Sequence, residues 1–320
     1  MFLFINSYIN INKNMQIKYG IENNNIDVTE ICYKLLKNLS TGIINIPYGD
    51  NLRSKYFTDP LIGIHKSIYI YIDNVEYVFD EYKRIKIDTI NNKIIDNTIN
   101  YEFINNEINN KTEKIHSQLT IKYGSLCDEL PEQKMSVRYL KGTEKVLEIG
   151  GNIGRNSLVI SNIINGNKDN MVVMECDIEI SKQLSENRDL NNMTFNIESS
   201  ALSTRKLAQK GWETIVCDNE ILPDGYNWVN TITYTELCKK YNIKFDTLVL
   251  DCEGAFYYIL LDMPEILDNI NLIIMENDYN NIEHYDCVAA KLKELNFVCD
   301  YIETGGWGPC YSNFYEVWTR

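Results

Sequence analysis

The chain has 320 residues, 44% of them hydrophobic, and carries a formal net charge of −14 with a pI near 4.8. That length buries the core of one large or two modest domains, and the acidic balance, with Lys and Arg scattered, excludes partners held through their phosphates: no nucleic acid and no anionic membrane. Nine cysteines, never spaced C-x-x-C, read as reduced thiols of a cytoplasmic protein, and three histidines (His65, His116, His284) are too dispersed for a nitrogen-rich metal centre.

Residues 1–14 are apolar but lack a basic leader and a small-residue cleavage site, and they are too few to span a membrane. They read as an extension ahead of Met15. Residues 15–90 form a small β-rich accessory domain. Strand-like runs at 15–19, 42–47, 66–72 and 76–79 surround one helix at 29–39, capped by Asp27 or Thr29. Residues 91–132 are polar and Asn-rich, a helical linker ending at Pro131. From 133 to 320 strands and helices alternate. Strands are expected at 146–149, 171–175, 194–197, 246–250, 272–275, 297–302 and 314–319, and helices at 155–164, 178–190, 234–241, 256–261 and 285–295. Thr247-Leu-Val-Leu and Leu272-Ile-Ile-Met are near-continuously apolar, as a parallel sheet covered on both faces requires. The expected fold is α/β, a Rossmann-like sheet of seven strands ending in an antiparallel hairpin. An excursion at 203–232 carries Trp212 and Trp228; these and Trp307 are expected to pin their own loops to the core.

The stretch that carries chemistry is Val146-Leu-Glu-Ile-Gly-Gly-Asn-Ile-Gly-Arg-Asn. An apolar strand ends in an acid, Glu148. A turn with Gly150, Gly151, Asn152 and Gly154 follows, where glycines allow positive φ and a close approach of backbone to ligand, and a helix then opens with free N–H donors. A dinucleotide fingerprint would read G-x-G-x-x-G, and its third glycine is missing here. Glu148 ahead of the glycines suits S-adenosylmethionine, while Glu175, ending the next strand, would take ribose hydroxyls of either cofactor.

Residues 133–320 resemble FkbM-type methyltransferases, a branch of the class I adenosylmethionine-dependent enzymes. The family's first-turn motif, D-x-G-A-N-x-G, is matched by Glu148-Ile-Gly-Gly-Asn-Ile-Gly154. Its second, D-x-E-G-x-E, is matched by Asp251-Cys-Glu-Gly-Ala-Phe256, with Phe256 in place of the second acid. Thr231-Ile-Thr-Tyr-Thr-Glu-Leu and Ile273-Ile-Met-Glu276 resemble the segments before the fourth strand and at the end of the fifth. Residues 15–90 resemble a small β module found beside glycan-modifying domains in large DNA viruses, which implies action in a host cytoplasm or virus factory.

The resemblance implies an O-methyltransferase with S-adenosylmethionine as cofactor and a sugar or glycan hydroxyl as acceptor. Asp251, Glu253 and Glu276 are the expected catalytic acids, since a hydroxyl must lose its proton as it attacks the methyl carbon. The cofactor is expected to contact Glu148, Gly150, Gly151, Asn152, Gly154, Asn156, Glu175, Cys176, Asp177, Ser200, Ala201 and Asp251. Plainer roles stand beside these: Asp251 bonding the turn that follows it, Glu253 capping the helix near Ala255, Glu276 pairing with Arg155 or with lysines. A divalent cation held by two of the acids is a possibility the sequence does not favour, and no metal ligand is assigned. Methylation of a small metabolite or protein, or a binding module that keeps the fold without activity, are the alternative functions.

Overall fold

A computed structural model describes residues 15–38, 41–81, 83–95, 101–211, 213–217, 221–306 and 308–320. The extension before Met15, Trp212 and Trp307 lie outside the described residues. The chain forms two compact units, up to residue 107 and from 108 onward. Among the described residues no helix is long and apolar enough to cross a membrane, and all nine cysteines are free.

The first unit is built on two antiparallel sheets. In one, Met15–Ile21 lies between Asn24–Asp27 and Ser67–Ile72, with Val75–Phe79 on the outer edge; in the other, Ile85–Asp88 lies between Ile43–Ile46 and Lys93–Ile95. Their alternating apolar residues close one core that includes Ile17, Ile44, Ile70 and Ile87. The expected helix at 29–39 is a single α turn, Thr29–Ile31, running into a wider π turn, Cys32–Leu36. Asp27 accepts the Thr29 N–H at 2.9 Å, but the cap position is Val28. A second helix, Asp50–Phe57, occupies a stretch that reads as a turn.

The second unit carries a seven-stranded sheet. Its strands are β1 (Val146–Ile149), β2 (Met171–Met174), β3 (Asn196–Glu198), β4 (Thr247–Leu250), β5 (Leu272–Glu276), β6 (Val298–Glu303) and β7 (Tyr315–Thr319). Their order is 3-2-1-4-5-7-6, and only β7 runs antiparallel, slotted between β5 and β6. The α/β Rossmann-like sheet with an antiparallel terminal hairpin is thus present. Among the described residues from Leu130 onward, six α-helices accompany it: α1 (Leu130–Tyr139), α2 (Arg155–Ile164), α3 (Ile178–Leu190), α4 (Tyr234–Tyr241), α5 (Phe256–Asp262) and α6 (Ile282–Glu294).

Met135 of α1, Leu158 of α2 and Leu184 of α3 pack with Val146, Val173, Val249 and Ile274 on one face. On the other, Tyr285 of α6 donates its hydroxyl to Glu316 of β7 at 2.8 Å. Pro131 stands in the first turn of α1, where its missing N–H costs nothing, so it starts a helix instead of closing a linker. Helix α4 opens with a capping box between Thr233 and Glu236. The excursion folds into a small sheet of Leu207–Lys210, Glu213–Val216 and Asn227–Val229. Trp228 does not pin it: the side chain is exposed, with Lys206 Nζ 4.0 Å over its ring.

Candidate active site

In a doubly wound sheet, ligands bind beyond the carboxyl ends of the strands where the order reverses. Here that point lies between β1 and β4. The turn after β1 is latched to both neighbours: Gly150 and Gly151 donate their N–H groups to Met174 O at 3.0 and 2.9 Å, and Asp251 N–H donates to Ile149 O at 3.0 Å. The glycines serve this packing. A Cβ on Gly150 (φ +89°) would lie 1.6 Å from the Asp251 carbonyl oxygen, one on Gly151 2.2 Å from Val173 Cγ1, and one on Gly154 (φ +95°) 2.5 Å from Leu184 Cδ1. The space each glycine leaves is filled by β4, β2 and α3 of the chain itself.

Asn152, at φ +46°, takes the left-handed conformation that Asn tolerates. Its N–H donates to Glu175 Oε2 at 2.9 Å, and the other carboxylate oxygen, Oε1, accepts the Asp177 N–H at 2.8 Å. Glu175 is therefore fixed in place, and each oxygen keeps a lone pair for a further donor. Burial pushes its carboxyl up, and the Asp177 and Asn152 N–H groups oppose that.

The remaining residues expected at the cofactor have protein partners. Asp177 caps α3, accepting from Glu179 and Ile180 N–H. Cys176 Sγ lies 3.6 Å from Gln209 Oε1. Ser200 donates to Glu198 Oε1 at 2.9 Å, and Ala201 begins a short strand beside Thr231. Asn156 is buried and accepts from Ser136 of α1 at 3.0 Å, so it ties two helices together. Arg155 pairs with Asp128 and Glu129, which removes the expected alternative of a pair with Glu276.

The other half of the site is a concentration of acids produced by strand periodicity. Side chains two apart share a face, so Glu148 of β1, Asp251 after β4, and Glu276 and Asp278 at the end of β5 all project toward α1. Glu148 sits in a rung between Val173 and Val249. Burial pushes it up to about 8, with the Ser157 hydroxyl opposing and the Glu129 charge adding. Asp251, Glu276 and Asp278 bring one carboxylate oxygen each to within 4.8 Å of one another. At that spacing and an effective dielectric near 20, two full charges repel by roughly 3–4 kcal/mol. Burial and then the Asp278 charge hold Asp251 well above the usual carboxylate range. Burial and the Glu132 carboxyl push Glu276 up to about 12. Asp278 is raised less, to about 6, by burial and by Glu253.

Glu253 is exposed at φ +51°, followed by Gly254 at φ +75°, and the two make a sharp left-handed turn over the end of β5. A Cβ on Gly254 would meet Asp278 O at 3.3 Å. Glu253 does not cap α5, whose N-cap is Ala255 without a side-chain bond. His284 stacks on Tyr257, ring centroids 3.9 Å apart.

Three residues that sequence reasoning missed join the site: Glu129, Glu132 and Asp278. Glu129 (φ +56°, left-handed) stands at the N-cap position of α1 without a side-chain capping bond, and Glu132 lies in the helix's first turn. The signal for Asp278 was present as Glu276-Asn-Asp278, two acids on one face of a strand end.

No protein-family model matches the chain, and no curated protein matches it. Among solved structures it is similar to a ribosomal protein L11 methylase from Lactobacillus delbrueckii subsp. bulgaricus, at 12% identity and TM-score 0.39 over 62% of this chain and 79% of that one. It is also similar to an O-methyltransferase from Bacillus cereus in complex with SAH (13%, TM-score 0.38, 67% and 91%). A third is Aeropyrum pernix fibrillarin with natively bound S-adenosyl-L-methionine (13%, TM-score 0.34, 56% and 67%). Likeness at this level carries no functional argument, so function is argued from the chain's own residues.

Proposed function

We propose that the second unit is an S-adenosylmethionine-dependent O-methyltransferase of the FkbM type, acting on a sugar hydroxyl of a glycan or glycoconjugate. The charge of the site carries this reading. Seven acidic side chains (Glu129, Glu132, Glu148, Asp251, Glu253, Glu276 and Asp278) gather around the turn. Burial holds Glu148 and Glu276 protonated at neutral pH, the others leave the site acidic, and Arg155, which reaches it, is already paired with Asp128 and Glu129. A dinucleotide would bring a doubly negative pyrophosphate into that field. S-adenosylmethionine brings a sulfonium and an ammonium against a single carboxylate, so it enters as a net cation.

The residues present fit it. Glu175, held by two backbone N–H groups with lone pairs to spare, suits two vicinal ribose hydroxyls. When bound, the cofactor supplies a methyl group made electrophilic by its positive sulfur. The chain's part is to hold the acceptor oxygen in line with that carbon and to receive its proton. Positioning alone supplies several kcal/mol. The acids closing β4 and β5, Asp251, Glu253 and Glu276, are the hydrogen-bond partners for the incoming hydroxyl. Glu276, pushed up to about 12, keeps its own proton, so the hydroxyl's proton goes to Asp251 or Glu253.

Calorimetric titration tests this. S-adenosylmethionine is expected to bind and NAD is not. Glu175→Ala should weaken cofactor binding by about 10–100-fold, the loss of charge-assisted bonds worth about 1.5–3 kcal/mol. Failure to bind S-adenosylmethionine, or equal binding of NAD, would overturn the reading. Methyl-labelled cofactor offered with a panel of deoxy-sugar glycans then identifies the acceptor; transfer only to proteins or small metabolites would reassign it.

A further inference from the structure

Three of the acids at the ends of β4 and β5 form a centre of their own. Asp251, Glu276 and Asp278 present one oxygen each, all within 4.8 Å of one another. Opposed ligands of one ion lie about 4.2 Å apart around Mg²⁺ and about 4.6–5.2 Å apart around Ca²⁺, so a single ion can bridge the set after little or no contraction. An independent feature on α1 points to the same place. Glu132 is only 6% exposed, its Oε2 has no hydrogen-bond partner, and its carboxyl acts on all three of the others. Asp278, 8% exposed, likewise has an unpartnered oxygen, Oδ2. None of the four is paired with a Lys or Arg among the described residues. Asp251 and Glu276 stay part-exposed, which leaves an entrance.

Burying charges without a counter-charge is costly, and buried acids are found paired or on metals. We infer that Asp251, Glu276 and Asp278, backed by Glu132, bind one hard divalent cation of the Mg²⁺ or Mn²⁺ class. The donors are all carboxylate oxygens, with no imidazole or thiolate among them, which selects against zinc and copper. Its role rests on the methyl-transfer reading: an ion here would ligate the acceptor hydroxyl and make it more acidic. Its binding does not depend on that reading.

The test is titration of the full chain, stripped with chelator, with MnCl₂ at pH 7.5, following the electron-paramagnetic signal of free Mn²⁺. Saturable binding of a single ion, displaced by Mg²⁺, is expected. Asp251→Asn and Asp278→Asn should each weaken it about tenfold or more, while Glu179→Gln, on the exposed face of α3, should not. A melting temperature that rises with Mn²⁺ in the wild type and not in Asp278→Asn gives a second readout. Metal-free Asp278→Asn should melt no lower than the wild type, because it removes like-charge repulsion. Absence of saturable binding, or binding that survives both substitutions, overturns the inference. S-adenosylmethionine binding, measured without metal, separates the two readings. Cofactor binding without Mn²⁺ binding overturns the metal site alone; Mn²⁺ binding without cofactor binding supports the metal site and overturns methyl transfer.

Discussion

Replacing Lys66 with methionine is expected to melt the first unit while the seven-stranded sheet stays folded. Lys66 is 1% exposed, yet its ammonium is fully engaged. Asp50 Oδ2 and Asp59 Oδ1 lie at 2.8 Å, and the Leu61 and Ile64 carbonyls accept at 3.1 and 2.7 Å. Tyr19, also buried, donates to Asp50 Oδ1 at 2.6 Å. Burial alone would lower the Lys66 pKa, but the bonds to Asp50 and Asp59 outweigh it and the net shift is upward. Removing one partner of a buried pair costs about 3–5 kcal/mol, because the abandoned charges stay behind. Asp59 keeps 30% side-chain exposure and is partly screened, so the low end, about 3 kcal/mol, is expected. That is a large share of the stability of a unit this size. Hydrogen exchange should show protection lost across Met15–Ile21 and Ser67–Ile72 and retained in β1 and β4. Protection kept in the first two strands would refute the assignment. Adding Asp50→Asn to Lys66→Met should restore part of the loss by removing an orphaned carboxylate.

This network also marks what the sequence does and does not disclose. The strands and helices of the second unit follow from apolar runs and periodicity. Helices α2, α3 and α4 start and stop where the pattern places them: α2 buries Leu158, Val159, Ile160 and Ile164, and α3 and α4 open on the cap residues Asp177 and Thr233. Asp50–Phe57 escapes notice because a polar residue anchors it. Arg53 is fully buried and donates to the carbonyls of Pro47, Asp80 and Lys83, a bonding pattern with no period.

The site divides in the same way. The turn, Glu175 and Asp251 are contiguous motifs and are legible. Glu129 and Glu132 reach Asp251 and Glu276 only through the packing of α1, more than a hundred residues earlier in the chain. The glycines are legible as glycines, but not for the reason that a ligand demands them: Gly150 is fixed by the Asp251 carbonyl, which only the paired β1 and β4 bring there.

Glu148→Gln is expected to stabilise the second unit, and to do so increasingly as pH rises. Glu148 is 3% exposed, one of its oxygens has no partner, and its carboxyl titrates near 8 in the folded protein against an ordinary 4.5. Between those values the folded state holds a proton that the unfolded state has released. Folding stability therefore falls as pH rises through this window, and the full cost is present above about pH 8. The cost approaches 5 kcal/mol, at about 1.4 kcal/mol per pKa unit. Glutamine keeps the shape and does not titrate. In a unit of this size each kcal/mol moves the melting temperature by about 2–4 °C. The variant should thus melt on the order of 10 °C above the wild type at pH 9 and close to it at pH 5. Parallel melting curves across that range would show that Glu148 is not the buried acid described. A protein that keeps such a destabilising carboxylate at the centre of its sheet is expected to use it. Cofactor affinity should therefore fall in Glu148→Gln even as stability rises, and unchanged affinity would assign Glu148 to the sheet and not to the ligand.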